Sequence, residues 1–232
     1  MFSYYGSKSK VVDYYPAPKH DLIIEPFAGS ARYALKYLEC DVIINDKYEI
    51  VYRIWKFLQL CSPADILSLP KLKPGDKIDR SSFDCIEMAW LMGFMINSGC
   101  ATPMLTMSRW GYVNFPRSVK IILENLHKIK HWTILNLDYL ELESYVGTHF
   151  IDPPYIAAGY KYRFGSDKID FNCLSEWCKN RQGQIIVCED SKANWLPFNP
   201  MKRMNGIVKT QTEGIYTNEF TQYNNIQQLL KL

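Results

Sequence analysis

The chain has 232 residues, of which 47% are hydrophobic and 22% charged, with a formal net charge of +3. That suits one packed globular domain with room for an insertion and excludes two full domains. No apolar run reaches the roughly 18 residues of a membrane span, and residues 1–8 lack a signal-peptide core, so a cytoplasmic protein with no membrane partner is expected. Seven scattered cysteines, without Cys-x-x-Cys or His-spaced clusters, predict reduced thiols that mostly fill the core, with neither a metal site nor a disulfide framework. So small a net charge is compatible with a nucleic-acid partner where the basic residues gather on one face.

In chain order, Tyr4-Tyr5-Gly6-Ser7-Lys8-Ser9-Lys10 reads on local evidence as a solvated terminus. Residues 21–31 then pass from an apolar strand through Glu25, Phe27 and Gly29, and an amphipathic run over 32–39 predicts a helix with Ser30 as its N-cap. Together they form the first βα unit of a nucleotide-binding α/β fold. A second strand at 42–45 ends in Asp46, 17 residues after Gly29. An acid so placed accepts both hydroxyls of a ribose, although a helix N-cap is a competing role.

From residue 48 to 130 strand signals nearly stop. Val51, Ile54, Trp55 and Leu58 mark one helical stripe; Phe83, Ile86, Ala89, Trp90, Gly93 and Phe94 a second; Val119, Ile122, Leu123, Leu126 and Ile129 a third. Residues 62–80, with Pro63, Pro70, Pro74 and Gly75, read as a loop. Between the second and third stripes, Arg109, Trp110, Tyr112 and Asn114 surround Gly111, which suits a Gly turn offering phosphate contacts, stacking faces and base-edge hydrogen bonds, or a plain packed hairpin.

The α/β pattern resumes with strands at 132–136, near Asp138, and at 148–151. The latter runs into Asp152-Pro153-Pro154-Tyr155. Two prolines remove backbone donors and fix φ, so the neighbouring carbonyls are freed as acceptors beside a carboxylate. Such a corner suits a group donating two hydrogens, such as a nucleobase amine, with Tyr155 as a stacking face; an ordinary tight turn is the alternative. Tyr160, Lys161, Tyr162 and Arg163 follow as a basic-aromatic cluster suited to a nucleic-acid strand. A helix at 171–180, a strand at 184–188 and a closing hairpin with strands at 203–210 and 218–224 complete the pattern. Glu189 and Asp190 read as a surface turn that could border the pocket.

As an ordered set, Tyr4 to Lys8, Glu25 to Ala31, Asp46, a helical insert, Asp138 and Asp152-Pro153-Pro154-Tyr155 resemble the Dam-like class of adenine-N6 DNA methyltransferases over essentially the whole chain. The resemblance implies a Rossmann-like S-adenosylmethionine methyltransferase sheet, residues 1–54 and 131–232, with a mainly helical recognition module at 55–130. It implies that Tyr4, Lys8, Glu25, Phe27, Gly29, Asp46 and Asp138 hold S-adenosylmethionine. Asp152, Pro153, Pro154 and Tyr155 would act on a flipped adenine of double-stranded DNA, and the stretch from Arg109 to Pro116 is similar to a DNA-reading hairpin. Related readings keep the fold and change the acceptor to cytosine or RNA, or keep nucleic-acid binding without turnover. A nicotinamide-dependent reductase is disfavoured by the missing second and third glycines.

Overall fold

A computed structural model describes residues 1–205 and 210–218. Its strands are β1 (Leu22–Glu25), β2 (Asp41–Asn45), β3 (Thr133–Leu135), β4 (Val146–Ile151), β5 (Gln182–Asp190), β6 (Asn199–Asn205) and β7 (Thr210–Thr217). Its α-helices are α1 (Glu49–Leu60), α2 (Pro63–Leu67), α3 (Ile86–Met95), α4 (Arg109–Asn125) and α5 (Phe171–Lys179).

The strands form one seven-stranded sheet in the order β3-β2-β1-β4-β5-β7-β6. The first five are parallel, with Ile24 beside both Ile43 and His149 and Phe150 beside Ile186. Strand β7 runs antiparallel between β5 and β6. The fold is thus α/β with a mixed sheet, compatible with a Rossmann-like arrangement.

The apolar runs are explained by burial on both faces. Along β5, Ile186 and Cys188 enter one hydrophobic cluster with the N-terminal segment, α1, α3 and α4, while Ile185 and Val187 enter another with α5. Alternate side chains point to opposite faces of a strand, so a continuous apolar run is what two covered faces require. Helix α3 is buried nearly all round, from Met88 to Met95 except Trp90, as a helix without a polar face must be. Helix α1 crosses position 55 unbroken, and Trp55, Leu58, Met92 and Ile122 share one cluster with Ile23, Val42 and Phe150 of the sheet.

Four elements differ from their sequence reading. The helix predicted over 32–39 is reduced to one 3-10 turn, Ala34–Lys36. Backbone at positive φ, 47° at Gly29 and 43° at Ala31, bends the chain away from an early helical start. The supposed loop at 62–80 holds α2, whose capping box pairs Ser62 with Asp65 around Pro63. The segment from Arg109 to Pro116 is the start of α4, with the Ser108 hydroxyl accepting from Gly111 N at 2.8 Å. A Cβ on Gly111 would lie 1.8 Å from the Ile96 carbonyl oxygen, so that glycine serves helix docking rather than a turn. The closing hairpin is β6 and β7, shifted from the predicted strands, and residues 206–209 and 219–224 lie outside the described residues.

The N-terminal stretch is packed rather than solvated. Phe2 lies 5.6 Å from the Trp55 ring and Tyr4 5.4 Å from Phe94, while Arg32 donates to the Phe2 carbonyl at 3.0 Å. All seven cysteines are free thiols, four of them buried. Among the described residues no helix is long and apolar enough to cross a membrane.

Candidate active site

The chain leaves β1 toward β2 on one side of the sheet and leaves β4 toward β5 on the other. Ligands of open α/β sheets bind at the carboxyl ends of strands where the order reverses in this way. A cleft at that position is lined by Tyr4, Lys8, Glu25, Phe27, Gly29, Asp46, Asp138, Asp152 and Pro154. Every residue the resemblance implied for the cofactor therefore faces the same space as two residues of the proline corner.

The turn after β1 is held from both sides. Gly29 N donates to Asp46 Oδ2 at 2.8 Å, and its carbonyl accepts from Trp55 Nε1 at 2.9 Å. The Tyr4 ring lies so close that a Cβ on Gly29 would sit 2.9 Å from it. Asp46 also accepts from Tyr48 N at 2.8 Å, the cap-like contact that was its competing role. Burial pushes its pKa up to about 6 against those two N–H groups. Glu25 is buried and accepts from Ala34 N at 2.6 Å; burial raises its pKa to about 8, with the Ala34 bond opposing.

Asp138 caps a 3-10 turn and pairs with Lys47 Nζ at 2.6 Å. Burial raises its pKa, but the hydrogen bonds from Lys47 and Leu140 N outweigh it and the net shift is downward. Phe27 packs on Tyr139 with ring centroids 5.4 Å apart, which supplies an apolar wall beside these acids.

At the proline corner, Lys8 Nζ lies 2.7 Å from Asp152 Oδ1, 3.8 Å from Glu213 Oε1 and 4.5 Å from the centre of the Tyr155 ring. Burial lowers the pKa of this buried ammonium, but Asp152 and Glu213 more than reverse that and it stays charged. Burial pushes Asp152 up to about 6, with Lys8 opposing. One face of Tyr155, expected to be free for stacking, therefore carries a lysine. The Tyr155 hydroxyl donates to Glu213 Oε1, which also accepts from Tyr15 Oη at 2.6 Å.

Glu189 is fully buried and accepts from Ile156 N, Trp195 Nε1 and Asp190 N. The surface-turn reading of this residue is corrected: it ties the end of β5 to the backbone just after Tyr155. Glu213 and Tyr15 carry no sequence motif that marks them. Their link to Tyr155 spans 58 residues on one side, and no local pattern announces it.

Of the residues assigned to DNA, Arg163 borders the cleft, while Tyr160 is 70% exposed and Lys161 Nζ lies 5.2 Å from the Tyr5 ring. Arg109, Trp110 and Tyr112 are exposed on the first turns of α4, apart from the residues that line the cleft. Asn114 donates to the Trp110 carbonyl at 2.8 Å within the helix, so its amide nitrogen is engaged locally.

The fold and site thus define an α/β protein with an acid-lined cleft at a strand-order reversal. No family model matches the chain, and no curated protein matches it. A solved structure described as a conserved hypothetical protein from Streptococcus pyogenes is similar at 11% identity over 89% of each chain, with a TM-score of 0.35. A likeness that slight carries no argument.

Proposed function

We propose that the chain is a DNA adenine-N6 methyltransferase that uses S-adenosylmethionine. The observation that supports this most is the meeting of Asp152 and Pro154 with the Gly29 turn and Asp46 around one cleft, where Lys8 links Asp152 to the Tyr155 ring. Cofactor fit is supported by the half-buried carboxylate of Asp46, which lines the cleft and is ionised above about pH 6, since an anion held in a low-dielectric cleft favours a cationic ligand. Bound S-adenosylmethionine supplies an electrophilic methyl group. Gly29 lets the backbone approach it, and Asp46 accepts from its ribose.

On the acceptor side, ionised Asp152 and the Pro153 carbonyl accept hydrogen bonds from the two N–H groups of the flipped adenine's amine. Those bonds localise the nitrogen lone pair, and the carboxylate stabilises positive charge that develops on nitrogen during transfer, until the amine's surplus proton is lost to solvent. Tyr155 holds the base plane, offsetting an unstacking cost of a few kcal/mol. Lys8 already makes the two contacts expected of the incoming base, a bond to Asp152 and a place over the Tyr155 face. Base entry therefore requires Lys8 to withdraw. Arg109, Trp110, Tyr112, Tyr160, Lys161 and Arg163 contribute cations and rings to the DNA contact.

Equilibrium titration with S-adenosylmethionine tests the first requirement. Saturable binding that Asp46→Ala weakens about tenfold or more is expected, as for a lost charge-assisted pair of hydrogen bonds. Absence of any binding by the intact chain overturns the proposal.

A further inference from the structure

Resting on the methyl-transfer reading, we propose that Glu213 is a positioning residue that sets the plane of the Tyr155 ring for the acceptor base. Stacking needs only the face of an aromatic ring, so a hydroxyl at this position requires its own explanation. The hydroxyl of Tyr155 donates to Glu213 Oε1. Glu213 is buried on β7 opposite Asp190, at the end of β5.

The same oxygen accepts from Tyr15 Oη at 2.6 Å, and the Tyr15 ring packs edge-on against Phe150 with centroids 5.0 Å apart. Phe150 stands two residues before Asp152 on the strand that delivers the corner. A closed circuit thus runs from β4 through Tyr15 and Glu213 to Tyr155 and back along the backbone. The two prolines fix the main chain before Tyr155 but leave its side-chain torsions free. Glu213 removes that freedom, and before the base enters Lys8 Nζ lies 3.8 Å from it.

The circuit separates orientation from carboxylate chemistry, and substitutions can do the same. Glu213→Ala removes the acceptor, Glu213→Gln keeps an acceptor without the charge, and Tyr155→Phe keeps the ring without its hydroxyl. Methyl transfer to DNA is measured for each, alongside 19F NMR of 3-fluorotyrosine-labelled protein with the Tyr155 resonance assigned through Tyr155→Phe.

For Glu213→Ala we expect kcat to fall about tenfold or more while KM for S-adenosylmethionine stays within about twofold, the pattern of a misplaced acceptor rather than lost cofactor binding. Tyr155→Phe should match it, and the double variant should fall no further, because both remove one interaction. Glu213→Gln should recover most of the loss. In the cofactor-free protein, the Tyr155 fluorine signal should move in Glu213→Ala and return near its original position in Glu213→Gln.

Normal kcat in Glu213→Ala, multiplicative losses in the double variant, or a Tyr155 signal indifferent to Glu213→Ala each overturn the proposal. Should the unsubstituted chain transfer no methyl group, the methyltransferase reading fails; the NMR arm still decides whether Glu213 fixes Tyr155.

Discussion

The ends of strands β1, β2 and β4 and the helices between residues 49 and 125 share one hydrophobic cluster, yet their functional side chains are fixed in different ways. At the strand ends, single residues do the fixing: Gly29 through a positive φ and a close ring, Asp46 through two N–H groups, the corner through two consecutive prolines. Among the helices, position is settled by surfaces meeting at a distance in sequence, as where Gly111 rests on the Ile96 carbonyl. A site assembled from special backbone positions leaves a local trace, whereas a docked helix leaves mostly a stripe.

Asp152→Ala should break the strand-end side of this contrast most severely. We expect methyl transfer to fall about a thousandfold, as on removing a group aimed at developing charge, while cofactor affinity changes little. Steady-state assays with parallel titration check this; normal turnover would remove Asp152 from the reaction.

On the helical side, Gly111→Ala reverses an ordinary expectation. Alanine within a helix gains at most about 1 kcal/mol over glycine, and here, in the first turn of α4, the added carbon would meet the Ile96 carbonyl oxygen at 1.8 Å. Overpacking of this kind costs about 1–3 kcal/mol, so the clash wins and Tm should drop. A raised Tm in thermal denaturation would show that α4 does not dock through Gly111.

Those two substitutions mark what the sequence made legible. The strand carrying Asp152, the Gly29 turn and Asp46 follow from short patterns of two to five residues, and they meet where the pattern implied. The helix predicted at 32–39 failed because Glu25 takes Ala34 N and the backbone turns at Ala31, effects a hydrophobic stripe does not register. The turn predicted around Gly111 failed for a related reason: glycine there serves a close approach, and its neighbours Trp110 and Tyr112 are exposed helix residues. Glu213 was illegible because its partners, Tyr15 and Tyr155, lie 198 and 58 residues away.

Acidity sharpens the comparison with smaller effects. Asp152 must be ionised to accept from the amine, so kcat/KM for DNA, which reports the free protein with Lys8 still paired, should rise with pH through about 6. Glu25 holds its proton to about 8 against an ordinary 4.5. The folded state thus binds a proton that the unfolded chain has released, and its contribution to stability should decline as pH rises between those values and then level off. Glu25→Gln should flatten that part of a Tm–pH profile; an unchanged slope would exclude Glu25 as its source.

The smallest effects are expected at the exposed start of α4. Trp110→Ala should leave Tm nearly unchanged, as usual for surface substitutions, and weaken DNA binding severalfold if a base stacks there. Arg109→Ala should reduce the salt dependence of binding by about one phosphate contact. Fluorescence anisotropy at several salt concentrations checks both, and unchanged binding would remove this turn from the DNA face.

One reaction tests methyl transfer most directly: the chain incubated with labelled S-adenosylmethionine and unmethylated DNA, RNA in parallel, and product nucleosides identified by mass spectrometry. N6-methyladenine in the DNA, lost in Asp152→Ala, is the predicted result. Cofactor binding without a methylated nucleoside in either polymer would contradict it.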